Sequence, residues 1–343
     1  MNRRSTPLSR RGFLLGSGAA AGGLLLSACG GGKSSGGSPA KSAGTGGASA
    51  SGFPVTVPGK PGSTTVKSAP KRVAACGYLR DIDLAIALDA PLVVATKNEV
   101  FNGFAPWQKP KGKVELVDQT SGVPIEKIAA AAPDLILASD DYSIKTDFAK
   151  LSRLAPTLGY QDSAGSDQWD VMIRRAGKAL GRSAQADKLV SDVRAKIAAT
   201  AAAHPEFKGR TFTFGPVGAD GSVFTISRGA DASAEFFGNL GFHLPAKVTA
   251  LPESSTPNRS SVSVERLDLI DADVVILTFP DAKTRTAFEA KPLFKKLGAV
   301  KRGTYLAIDM PTAISLAFPS VLSIPYGLDV MTPKLAAAVA KLG

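Results

Sequence analysis

The sequence predicts an α/β protein of two lobes, each a mostly parallel sheet flanked by helices, joined by one long α-helix. Three observations carry this. From Val66 onward, short apolar runs of strand type alternate with helical segments, the pattern of βαβ units. The stretch VPIEKIAAAAPDLILAS, residues 123–139, aligns without a gap on VSVERLDLIDADVVILT, residues 262–278, at an offset of 139. Two copies at one period suit two related lobes better than a solenoid. Between them, residues 183–203 (SAQADKLVSDVRAKIAATAAA) read as an unbroken helix ending before His204-Pro205. At about 1.5 Å per residue it spans about 30 Å, the width of a small domain, so it can act as a strut.

The elements follow in order. Residues 1–29 combine a basic start, an apolar Gly/Ala/Leu stretch and small residues before Cys29. That fits a signal peptide better than a membrane anchor. Residues 30–52 are Gly/Ser-rich with nothing apolar to bury, a flexible tether. Strands are expected at 72–76 and 91–96, with a helix at Asp81–Leu88 capped by Asp81. Residues 97–114 read as a long irregular segment. Helix 126–132, strand 135–138 and helix 147–153 follow, and Pro133 ends the first of these by removing a donor. Helix 170–180 stops at Gly181, and Ser183 is the expected cap of the long helix. The second half repeats the alternation. Strands fall at 210–214, 223–226, 274–277 and 304–308, and helices at 232–240, 284–290, 293–297 and 325–342. The boundaries are then 1–28 for the signal peptide, 29–52 for the tether, 53–168 for the first lobe, 169–205 for the connecting helices and 206–343 for the second lobe. Ligands of such sheets bind outside the carboxyl ends of the strands.

Composition excludes several classes. The formal charge is +12, but Arg3, Arg4, Arg10 and Arg11 belong to the targeting segment, and without them 37 basic residues face 29 acidic ones. Those charges are scattered and not interleaved with aromatics, which argues against nucleic-acid binding. Only two histidines occur, His204 and His243, and no metalloprotease, P-loop, dithiol or nucleophile-elbow motif is present. The chain therefore reads as a non-enzyme with no cofactor and no directly bound metal. Cys76 lies in an apolar run and reads as a small buried hydrophobe without a disulfide partner.

Two leader motifs carry their own resemblances. Ser9-Arg10-Arg11-Gly12-Phe13-Leu14 resembles a twin-arginine export signal, and Leu26-Ser27-Ala28-Cys29 resembles the lipobox of bacterial lipoproteins. The second implies a lipid on the Cys29 thiol and an anchored protein on the extracytoplasmic face of the cell membrane.

Taken with PKRVAACGYLRDIDLAIAL, the paired IEKIAAAAPDLIL and VERLDLIDADVVIL segments, LSRLAPTL at 151–158 and the stiff helix, the chain resembles the periplasmic-type binding proteins of ABC importers. More narrowly, it is similar to the ferric-siderophore, haem and vitamin B12 group, whose class III fold has two lobes and a rigid connecting helix. The resemblance implies a monomer that holds an iron(III)-siderophore in the cleft and delivers it to a permease dimer. Haem, a corrinoid, or a sensor or scaffold role is the alternative. It also implies permease docking through Glu126 and Glu265, which fall at equivalent positions of the two repeats; a Glu there also suits a helix start. Arg228 matches an arginine that faces the ferric complex, since a planar donor fork suits ligand oxygens. Tyr78, Arg80 and Tyr142 follow strands on the cleft side, and Trp107, Trp169, Phe279 and Phe318 are the aromatic candidates.

Overall fold

The computed structural model describes residues 52–120, 122–163 and 167–343. The signal peptide, Cys29 and residues 30–51 of the tether lie outside them. A two-stranded antiparallel pair, β1 (Val55–Val57) and β2 (Thr64–Val66), opens the described chain. Five parallel strands then form the first lobe: β3 (Val73–Ala75), β4 (Leu92–Thr96), β5 (Glu115–Val117), β6 (Leu135–Leu137) and β7 (Thr157–Leu158), in the order β5-β4-β3-β6-β7. Every residue of β3 and β6 is buried, as expected of parallel strands covered by helices on both faces.

The second lobe begins with β8 (Phe212–Pro216) and β9 (Val223–Ile226), followed by β10 (Arg259–Val262), β11 (Val274–Thr278) and β12 (Tyr305–Ile308). Its parallel sheet has the order β12-β11-β8, and β9 and β10 form a separate antiparallel pair. The repeat of the sequence is a repeat of structure. β6 and β11 stand at the offset of 139, and so do the starts of their partners, with Val73 opposite Leu135 and Phe212 opposite Val274. Asp134 accepts the backbone N–H of Arg72 at 2.8 Å, and Asp273 accepts that of Thr211 at 2.8 Å. Each lobe thus ties the start of its first repeat strand to the residue that opens the second.

The long helix is Ser183–Ala203. It is entered through a turn in which Arg182 N–H bonds Gly177 O at 2.6 Å and Gly181 N–H bonds Lys178 O at 3.2 Å, with Gly181 at φ +69°. That is a Schellman stop, and the left-handed position is why glycine is needed there. Ser183 is the first helical residue and makes no cap; the preceding Arg182 donates its guanidinium to Leu88 O instead. Gln185 Nε2 donates to Ala87 O at 3.1 Å, so this end is fastened to the first lobe. Near the other end, Lys196 pairs with Asp329 at 2.7 Å on the helix Ser323–Val339 of the second lobe. Ala186, Val190 and Val193 are buried in a core that also takes in Leu84 and Leu88 from one lobe and Leu328, Met331 and Leu335 from the other. No helix among the described residues is long and apolar enough to cross a membrane.

Other expectations shift. The helix after β3 is Arg80–Ala87 with Leu79 at its cap position, and Asp81 lies inside the first turn, where its carboxylate serves another purpose described below. β5 follows directly on the irregular segment 97–114, and neither it nor β10 is among the expected strands.

Candidate functional site

A cavity of about 600 Å3 opens between the lobes, within the usual range of about 300–1,000 Å3 for small-molecule sites. The first lobe contributes Arg80 from the start of the helix after β3, Tyr142 from the loop after β6, and Trp169 from the start of the helix Trp169–Ala179. The second contributes Phe224 on β9, Asp231 and Arg259 near the ends of β9 and β10, and Phe318 after the helix Met310–Ala317. Four aromatic rings and two guanidinium groups thus face one space.

Arg80 reaches this wall from a fully buried base. Asp140 Oδ1 accepts Arg80 Nη2 at 2.6 Å and Nε at 2.9 Å. The other carboxylate oxygen accepts the backbone N–H groups of Leu79 at 3.2 Å and Arg80 at 3.0 Å. Arg80 Nη1 then donates to Asp167 O at 3.1 Å. The guanidinium is charge-balanced and oriented before any ligand arrives.

Asp81 completes the base. Its oxygens accept the backbone N–H groups of Ser139 at 3.1 Å and Asp140 at 3.0 Å, which fixes the loop carrying Tyr142. Burial, and then Asp140, push Asp81 up to about 7. Burial likewise pushes Asp83 up to about 6 against its hydrogen bonds from Ser320, Gln108 and Trp107. Both folded values stand above the unfolded one, so as pH rises the unfolded chain ionises first. Their contribution to stability is therefore full below about 4 and is lost as pH rises through about 6 to 7. Asp81→Asn, which cannot ionise, is expected to gain stability relative to wild type as pH rises from 4 to 7. Urea unfolding across that range measures the difference, and a pH-independent difference would sink the assignment.

The candidate residues separate into three groups. Arg80, Tyr142, Trp169 and Phe318 line the cavity. Tyr142 is 58% exposed there, so its phenol is open to a ligand. Tyr78 stands behind the wall, its ring 6.3 Å from Tyr142 and 5.0 Å from Phe318 across the lobe boundary. Trp107 is buried in the seam beneath, 5.1 Å from Tyr326, and Phe279 is in the core of the second lobe, 5.7 Å from Phe288. Neither of these two reaches the cavity.

Arg228 is also turned away. Its guanidinium donates to Ser227 O, Thr249 O and Leu251 O, each at 2.9 Å, and pairs with Glu253 at 3.3 Å. These carbonyls hold the loop after β9 closed. The arginine of this lobe that lines the cavity is Arg259. Its Nε donates to Asp231 Oδ2 at 2.9 Å, and its guanidinium carbon is 6.0 Å from the centre of the Phe224 ring. Among the described residues, no protein group bonds its two Nη atoms. Asp231 is itself fixed as the cap of the helix Ala232–Asn239 through Ser233 N–H at 2.9 Å. The signal for Arg259 in the sequence is faint: RSSV holds a single apolar residue and follows the turn-like STPN.

Glu126 and Glu265 are exposed in the first turns of Ile125–Ala130 and Val264–Ile270, at equivalent places of the two lobes. Ser263 caps the second of these through Glu265 N–H at 3.2 Å.

The comparisons with known proteins meet this geometry. The model of the periplasmic binding protein family matches residues 75–310. The chain belongs to that family. Its fold is shared with PiaA, an iron uptake ABC transporter substrate-binding protein from Streptococcus pneumoniae TIGR4, at 29% identity and TM-score 0.68, covering 84% of this chain and 100% of that one. The structure of PiaA in complex with ferrichrome matches at 29% identity and TM-score 0.70, covering 83% and 99%. A periplasmic solute binding protein of Mycobacterium smegmatis matches at 26% identity and TM-score 0.72, covering 83% and 98%. No curated relative matches the chain. Family members are extracytoplasmic solute-binding proteins of importers, and the fold here is that of their iron and siderophore branch.

Proposed function

We propose that this protein is a lipid-anchored, extracytoplasmic binding protein that captures an iron(III)-siderophore between its lobes and delivers it to an ABC permease dimer. The observation that carries the reading is the cavity itself: four aromatic walls with one arginine from each lobe, each already paired with a carboxylate. Such pairs add little net charge, so the site offers donors to oxygen atoms without demanding a highly anionic ligand. Aromatic rings supply area for an apolar ligand periphery. PiaA, similar along nearly its whole length, is seen in complex with ferrichrome. Glu126 and Glu265, exposed on both lobes, supply two like charges for two permease subunits. The Cys29 lipid would keep the protein at the membrane where that permease sits.

Quenching of Trp169 beside the cavity tests capture. Ferric hydroxamate, catecholate and citrate complexes would be titrated in parallel with haem and cobalamin. Saturation by one ferric class is the expected result, and saturation by haem or cobalamin alone would overturn it. Arg259→Ala should weaken binding by about 10–100-fold, whereas Arg228→Ala should act on stability. The double change Glu126→Ala with Glu265→Ala should leave binding intact and abolish uptake into cells, separating capture from delivery.

A further inference from the structure

The two lobes meet behind the cavity in an apolar seam. Leu79, Ala105 and Trp107 of the first lobe pack with Ile314 of the second. Within this region lies one carboxylate, Asp83, with no exposed surface. Among the described residues no cation pairs with it. A buried ion without a counter-ion is costly and persists only where donors replace its water. Asp83 has three. Trp107 Nε1 lies 3.2 and 3.1 Å from its two oxygens, and Gln108 Nε2 donates at 2.6 Å. The third is the hydroxyl of Ser320, which comes from the other lobe, 237 residues away in sequence.

All three groups are committed as donors. An indole has an N–H and no acceptor. The amide of Gln108 is oriented by its own oxygen, which accepts Ala105 N–H at 2.9 Å. Ser320 Oγ already accepts the backbone N–H groups of Leu322 at 3.1 Å and Ser323 at 2.9 Å, so its proton is left for Asp83. The arrangement fits an ionised acceptor; a protonated Asp83 would bring a further donor to a shell of donors.

Ser320 directly follows Ala317, Phe318 and Pro319, which line the cavity. Phe318 O accepts Ser323 Oγ at 3.0 Å, so the turn holding Ser320 and the turn holding the aromatic wall are one unit. We infer that Asp83 is a positioning residue of the cleft: by accepting the Ser320 hydroxyl across the lobe boundary it fixes the cleft opening and holds the Phe318 wall in place. This rests on the ligand site proposed above. It makes the opening responsive to pH. Asp140 is the charged group of the first lobe that acts on Asp83, and it is itself paired with Arg80. The second lobe brings Ser320 to Asp83 and Tyr326 to the Trp107 ring. Burial sets the proton affinity of Asp83 and the Ser320 bond lowers it.

The test uses the full-length protein, wild type, Asp83→Asn, Ser320→Ala and the double variant, with ferrichrome as the probe. Each single change is expected to weaken ferrichrome binding at least tenfold, and the double change no more than the weaker-binding single. Trp107 reports directly: its emission should show a transition near pH 6 that is absent in Asp83→Asn and displaced upward in Ser320→Ala, where a pKa-lowering donor is lost. Wild-type affinity in both single variants, or effects that multiply in the double, would overturn the assignment. Should Asp83→Asn not fold, Ser320→Ala and the wild-type emission decide. Failure of wild type to bind any ferric complex would remove the ligand reading alone. The emission transition and its displacement would then uphold the positioning role of Asp83, and their absence would overturn it.

Discussion

Replacing Asp140 with alanine is expected to destabilise the protein by about 3–5 kcal/mol, the cost of breaking a buried ion pair from one side. The Arg80 guanidinium would stay buried at 3% exposure with only the Asp167 carbonyl to receive it. Two backbone donors, Leu79 N–H and Arg80 N–H, would lose their acceptor at the start of the same helix. Native stabilities are commonly about 5–15 kcal/mol, so this is a large share. Equilibrium unfolding in guanidinium measures it. A loss below about 1 kcal/mol would mean that water enters and solvates Arg80, contrary to the packing described. The reverse truncation, at Arg80, should weaken ligand binding as well, because that side chain forms part of the cavity wall.

Gly77→Ala is the second large effect, at about 3 kcal/mol, the upper end of what overpacking costs. A Cβ at Gly77 would stand 2.0 Å from Asp81 Oδ2 and 2.9 Å from Asp140 Cβ. Asp81 has nowhere to go, since its oxygens hold Ser139 N–H and Asp140 N–H. The glycine is needed for space and not for a left-handed backbone. Gly112→Ala, where an added Cβ meets nothing within 4 Å, is the matched control and should be near neutral. Thermal melting of both variants distinguishes the steric account from a general dislike of substitution at glycine.

Both predictions concern the charged base of the cleft, and that base illustrates where sequence reasoning stops. Asp81 in RDIDLAIAL looks like a helix cap, because an Asp before an apolar run ordinarily is one. In the fold it is one turn position inside, and it caps the loop after β6 instead, nearly sixty residues further along the chain. Nothing local distinguishes these outcomes. The same holds for Arg228 and Arg259. Arg228 lies two residues past β9 in a motif that suits a ligand arginine, yet the chain turns back so that Thr249 and Leu251 carbonyls capture it. Arg259 reaches the cavity because β10 pairs antiparallel with β9, Arg259 opposite Ile226, a register that the turn-like residues before it conceal.

By contrast, what depended on neighbouring residues was legible from the start. The alternation of apolar runs and helices gave two parallel sheets. The gapless repeat placed Asp134 and Asp273, and Glu126 and Glu265, at matching points of two lobes. Gly181 stopped one helix, and His204-Pro205 bounded the next. These are decided by backbone periodicity and by local donors and acceptors, which travel with the sequence. Tertiary structure alone decided which arginine faces the cavity, which aromatic rings stay in the core, and that Asp83 meets Ser320 across the lobes. Those choices are made when distant segments pack, and a buried charge takes whatever partner the packing brings within about 3 Å of it.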